Sequence, residues 1–338
     1  RQSPRIAFYR SRPRGDIPRG RFSCSGCFFG ASPIYWCQER VIGMVKLIPV
    51  QYGVRSYPEG IRPKIQEIAG HFDKTAIHPL LPRFSLHTEY SCYARELCSP
   101  LLSSFPTLCS SHRQGIPQLW YSEAWAAEFA EFIRVLCAGQ TPSVIEIHPP
   151  FSDYTDFAAF LSHYAVFEER ILSVYPQVRI LIENRFGTAY RGSPFLFSSA
   201  RDFLELAERL DASGLHLQIA WDIPQFFTAL GSSPRTMETD LHSVAPVIHA
   251  AAGIHLWGKK DSGRRKRVAH CGSLDDYFRG KSTLKRAFLA CLHDLLDDGL
   301  PRLFVPEVNS GQSDLDAIVR DLLEAGFRFE PDGDWDPS

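Results

Sequence analysis

The chain is predicted to be an α/β protein folded as a single closed (β/α)8 barrel, and three observations lead there. From about Met44 onward, short apolar or β-branched runs alternate with longer stretches of helical period. Several runs, such as VRILIE, are apolar almost throughout, as strands buried on both faces require. Nearly every run also finishes in a side chain able to hold a cation.

The strand candidates are Val45–Gln51, Arg83–His87, Val144–His148, Val178–Asn184, Leu215–Ile223, Gly253–Trp257 and Leu303–Val308. Helical spacing is read over Ile61–Phe72, Ser122–Leu136, Thr155–Ser173, Ala200–Leu210, Leu284–Leu296 and Ser313–Ala325. Alternating βα units of this kind close into a barrel or open into a doubly wound sheet. Seven strands are legible, one short of a barrel. The eighth is expected to be irregular, in the N-terminal arm or between Lys74 and Leu80.

The strand ends favour the barrel. FSLH ends at His87, IEIH at His148, ILIE at Glu183, IAWD at Asp222, GIH at His255 and FVPE at Glu307. A barrel brings the carboxyl ends of all its strands to one face, where active sites form. Singly, a strand-end Asp is a helix cap and a strand-end His a satisfied polar group. Together, carboxylates and imidazoles meeting in one place are costly without a cation. Mixed His and carboxylate donors suit Zn²⁺ or Mn²⁺ better than Mg²⁺, and Glu183 and Glu307 are each placed to bridge two ions.

Composition fits an ordinary globular enzyme: 338 residues, 44% apolar, 22% charged and a net charge of −1. Such a charge argues neither for nor against nucleic acid. Nine cysteines, an odd number without a framework spacing, fit a reducing, cytoplasmic setting, and no apolar run is long enough to span a bilayer. Residues 1–43 form an arginine-rich arm expected to be poorly ordered, 44–330 the barrel, and 331–338 an acidic tail. Cys24, Cys27 and Cys37 lack a fourth ligand at zinc-ribbon spacing, and Cys271 is read as an inert thiol.

These motifs resemble the xylose isomerase-like TIM barrel superfamily, and within it the endonuclease IV and UV-damage endonuclease branch. The most specific piece is GIHLWGKKDSGRRKRVAHCGSLDDY, with His255 at the strand end, a basic loop, then His270 and Gly272. FSLHTEY is similar to the segment carrying a ligand His and a Tyr, here His87 and Tyr90; IEIHPP to the second His segment, here His148. ILIENRFG and FVPEV look like the strands of Glu183 and Glu307. Two positions depart from the pattern: Gln225 stands where the repair enzymes carry a His, and Val268 where endonuclease IV carries an Asp. Both belong to that family's third metal site, so the resemblance implies two ions.

It also implies a set of roles. His87, His148, Glu183, Asp222, His255 and Glu307 would ligate metal, and Glu183, Glu307 and His270 would serve catalysis. Tyr90, Gln225, Lys259, Lys260, Arg264, Arg265 and Arg267 would bind substrate or its phosphates. The implied activity is metal-dependent hydrolysis of damaged DNA. The alternative is a metal-dependent sugar or sugar-phosphate isomerase or epimerase, for which His87 and His148 are not generally needed.

Overall fold

The computed structural model describes residues 44–91, 94, 99–261 and 267–330. The arginine-rich arm, the acidic tail, Cys24, Cys27, Cys37, Arg264 and Arg265 lie outside them.

Eight parallel strands close into a barrel: β1 Lys46–Gln51, β2 Ile65–Gly70, β3 Arg83–Thr88, β4 Val144–Ile147, β5 Arg179–Glu183, β6 Leu217–Asp222, β7 Ala251–His255 and β8 Arg302–Val305. Closure comes from β8 pairing with β1, Leu47 opposite Arg302 and Pro49 opposite Phe304. The helices Glu123–Cys137 (α1), Phe157–Val174 (α2), Ala200–Ser213 (α3), Ile223–Leu230 (α4), Ser282–Leu296 (α5) and Gln312–Glu324 (α6) alternate with the later strands.

The eighth strand is β2, which corrects two expectations. Ile61, Ile65, Ile68 and Phe72 carry a helical spacing, yet Ile65–Gly70 is extended and pairs with β1 and β3. Its neighbours decide the outcome. Gly70 fits only without a side chain, since a Cβ there would lie 2.8 Å from Leu86. The period-2 register then sends Ile65 into the barrel and turns Ile68 towards the outer core.

The same alternation builds the barrel interior in layers. Val50, Ile65, Val144, Leu181, Ala220 and Leu303 fill the lumen, while Ile145, Ile147, Ile180, Ile182, Ile219 and Trp221 face the helices. Two or four residues after the luminal apolar positions come Glu67, Glu146, His148, Glu183, Asp222 and Glu307 on the same face. A dry plug therefore supports a polar mouth.

An aromatic layer outside the barrel sets the position of His148. Trp120, fully buried with φ +59, packs on Trp125 of α1 and Phe167 of α2 at centroid distances of 5.3 and 5.2 Å. Its indole N–H donates to the His148 carbonyl at 2.7 Å.

Gly258, just past β7, marks the tightest backbone approach. A Cβ there would lie 2.0 Å from the Gly272 carbonyl oxygen. Gly258→Ala is therefore expected to push the His270–Ser273 loop off the barrel. A fall in melting temperature of 5 °C or more checks it, and an unchanged Tm would contradict this packing.

Candidate metal centre at the barrel mouth

Five carboxylates lie in the mouth: Glu67, Glu146, Glu183, Asp222 and Glu307. Three histidines stand among them, with Nδ1 of His87 3.3 Å from Glu146, Nε2 of His148 3.0 Å from Glu183, and Nε2 of His255 3.1 Å from Glu146. Arg185 supplies a guanidinium 3.0 Å from Glu183 Oε1. Ordered in this way, donor atoms of His87, Glu146, His148 and Glu183 lie within 4.8 Å of one another, as do those of Glu183, His255 and Glu307. Both groups are buried. Divalent ions are the means by which such a concentration of negative charge is held in a low-dielectric site.

The tautomer of His148 provides the sharpest test of fit. Its Nδ1 lies 3.1 Å from the Glu89 backbone carbonyl, which only accepts, so Nδ1 carries the proton. Nε2 is then a lone pair directed at a carboxylate oxygen 3.0 Å away. Burial pulls this imidazole down to about 3, against the opposing pull of Glu183, which keeps it neutral. Two acceptors facing each other across that gap match a cation between them. Among the described residues, His87 Nδ1, Glu146 Oε1, His255 Nδ1 and Glu307 Oε2 are buried and make ion-pair contacts of 3.2 to 3.4 Å but no hydrogen bond.

The remaining charges follow from the same crowding. Burial acts to lower His87, but Glu67, Glu146 and Glu183 outweigh it and carry it up to about 10. Burial pushes Asp222 up to about 7, with Glu307 and Glu183 adding to the effect. Burial opposes ionisation of Glu183, yet the Arg185 guanidinium holds it below the usual carboxylate range.

Asp222 stands apart from the other expected ligands. Its Oδ1 caps α4 by accepting from Gln225 N at 2.8 Å, and its Oδ2 accepts from Gln225 Nε2 at 2.7 Å and Trp257 Nε1 at 3.0 Å. Gln225 Nε2 also donates to Glu183 Oε1. The Gln that departs from the family pattern thus ties two carboxylates together.

His270 reaches the mouth from the loop after β7. Its ring stacks on Trp257 at 4.2 Å and its Nδ1 lies 3.2 Å from Glu307 Oε2. Tyr90, Arg185, Gln225, Lys259, His270 and Glu307 share the wall of one cavity of about 680 Å³. That is the size of a small-ligand site. The expected phosphate-binding residues divide. Lys259 is half-buried in the wall and Lys260 is exposed. Arg267 instead donates to the carbonyls of Asp276 at 2.7 Å and Tyr277 at 3.1 Å, clamping the hairpin to the next turn. Cys271 is a half-buried free thiol. Trp221, Phe226 and Phe227 are buried packing residues.

Sequence reading missed Glu67, Glu146 and Arg185. For Glu146 the signal was present, because it precedes His148 by two residues and so shares its face. Glu146 lies between Nδ1 of His87 and Nε2 of His255, on the side of each ring away from Glu183 and Glu307 respectively. Carboxylates so placed orient ligand histidines. Glu146→Gln is expected to weaken divalent-metal affinity about 10–100-fold, read by calorimetric titration; unchanged affinity would remove that role.

No family model matches the chain, and no curated protein does either. Among solved structures the chain superposes on one described as AsfvAP:AG with a TM-score of 0.50 at 12% identity, over 84% of this chain and 99% of that one. On the apo form of 3-keto-D-glucoside 4-epimerase, YcjR, from E. coli the TM-score is 0.40 at 12% identity, covering 82% and 98%. The likeness is one of fold. No helix among the described residues is long and apolar enough to cross a membrane.

Proposed function

We propose that the chain is a metal-dependent phosphodiesterase acting on abasic or lesion-containing DNA. The observation that carries this reading is the joint presence of His87 and His148 beside Glu183, with His87 and Lys259 on the wall of one pocket. His87, His148, Glu183, His255 and Glu307 would hold two divalent ions, Zn²⁺ or Mn²⁺, with Asp222 joining them when its oxygens are released from Gln225 and Trp257. Bound there, such ions supply Lewis acidity towards a phosphate ester.

The chain's own groups do the rest. Glu183, held ionised by Arg185, keeps its charge at the centre of the donor set. Trp257 and Glu307 hold the His270 ring at the cavity wall, where its Nε2 meets a leaving oxygen or a phosphate oxygen. Tyr90 and Lys259 flank the same space and orient the sugar-phosphate backbone. A sugar-phosphate isomerase remains the second reading, favoured by the cavity volume and by Glu183 and Glu307 as a facing carboxylate pair.

The test is metal content per chain, followed by incubation with a duplex oligonucleotide carrying one abasic site. Two ions and incision abolished by chelation support the nuclease. Intact DNA together with turnover of an aldose or ketose phosphate would overturn it in favour of the isomerase.

A further inference from the structure

A second cavity opens beside the metal centre. Its volume is about 520 Å³, and it shares Thr228 and Lys259 with the first. The shared wall is the hairpin in which Lys259 pairs with Ala269 and Asp261 with Arg267. Arg267 keeps that wall in place through its bonds to the carbonyls of Asp276 and Tyr277, with its guanidinium 5.8 Å over the Tyr277 ring.

The lining has two distinct chemistries. Phe227, Phe278 and Tyr277 close its apolar side; Phe227 and Phe278 are buried in the outer core, and Tyr277 is half-buried with the Arg267 guanidinium over its ring. Lys259, Arg279 and Lys281 provide positive charge, and among the described residues no carboxylate lines the cavity. Arg279 is held in the left-handed backbone region at φ +53, followed by Gly280 at +69, which fixes where its side chain leaves the chain. Lys259 is half-buried, and burial together with Arg267 draws its ammonium below the usual value. No carboxylate pairs with Lys259, Arg279 or Lys281 among the described residues.

A cavity with an apolar side and a cationic rim free of carboxylates matches a nucleotide, whose phosphate the rim neutralises. A single sugar phosphate held at the metal centre would leave this cavity without a role. Building on the phosphodiesterase reading above, we propose that the second cavity binds the nucleotide adjoining the one processed at the metal centre, with Lys259 on the phosphate that links them. Arg279 and Lys281 take the outer phosphate. The substrate is then a strand that presents at least two successive nucleotides, one of them unpaired.

The experiment is fluorescence anisotropy with fluorescein-labelled, undamaged oligothymidylates of one, two and four residues, titrated into the full chain over a range of salt. The native protein is expected to bind the two- and four-residue probes at least tenfold more tightly than the single nucleotide. R279Q/K281Q should lose about tenfold on the longer probes and lower the salt slope by about 0.7, the value for one phosphate contact on a single strand. Its metal content should stay that of the native chain, which separates this effect from damage to the centre. Unchanged affinity and salt slope in that variant, with incision of abasic duplex intact, would overturn the second subsite and leave the nuclease reading standing. Equal binding of one- and four-residue probes by the native chain, with no incision, would remove both.

Discussion

Glu183→Gln is expected, on the phosphodiesterase reading, to cut turnover on an abasic-site duplex about a thousandfold, the several kcal/mol a Lewis-acid centre would contribute. Glu183 is where the site's elements meet. Its Oε1 takes Arg185 and Gln225, its Oε2 faces His148 at 3.0 Å and His87 at 3.9 Å, and it belongs to both buried donor groups. The amide keeps the shape of the carboxylate but removes the charge, so metal should be lost together with activity. Stability should fall as well, because Arg185 is buried against that carboxylate. Metal analysis, kcat and urea unfolding on the same preparation separate these effects. A variant that retains both its full metal complement and native kcat would show that Glu183 is not a ligand.

The largest effect on stability is expected at the opposite end of the barrel. Arg302, at the start of β8, is 1% exposed. Its guanidinium donates to the carbonyls of Ala251 at 2.9 Å, Leu300 at 3.1 Å, Ile248 at 3.2 Å and Leu296 at 3.3 Å, and to Asp298 Oδ1 at 2.8 Å. One side chain therefore ties the start of β8 to the start of β7 and to the loops before both. Arg302→Ala strands those acceptors and is expected to cost about 3–5 kcal/mol, measured by urea denaturation. A loss under about 1 kcal/mol would place it with ordinary surface substitutions.

The pair carries a pH signature of known sign. Burial pushes the Asp298 carboxyl up, but its bond to Arg302 outweighs this and holds it below the usual value. Its contribution is therefore fully present above the unfolded-state pKa of about 3.9 and is lost as pH falls through the lower folded value. Arg302→Ala should flatten that part of the acid unfolding profile.

Much of this protein was legible because its signals are local. Position at the carboxyl ends of the runs ILIE, IAWD and FVPE pointed Glu183, Asp222 and Glu307 to the barrel mouth before any coordinates did. Ser122 and Asp156 mark the starts of α1 and α2 as helix caps, accepting from Trp125 N at 3.2 Å and Ala159 N at 2.9 Å. β2 was misread because Ile61, Ile65, Ile68 and Phe72 recur at helical spacing, although only Ile65 and Ile68 lie in the strand. In the strand it shows, Glu67 stands between apolar positions without a His or a β-branched run to flag it.

What the sequence determined by itself was the class of fold, the face on which these side chains gather, and five of the residues that meet there: His87, His148, Glu183, His255 and Glu307. These depend on periodicities that span a few residues. What only the tertiary structure decided was how the donors share their partners. Asp222 is engaged by Gln225 and Trp257, Glu146 is shared by His87 and His255, and Arg185 pairs with Glu183. Most of those contacts join side chains from different strands, 35 to 109 residues apart in sequence. Their geometry is set by the shear and closure of the barrel, a property of all eight strands together that no local pattern encodes.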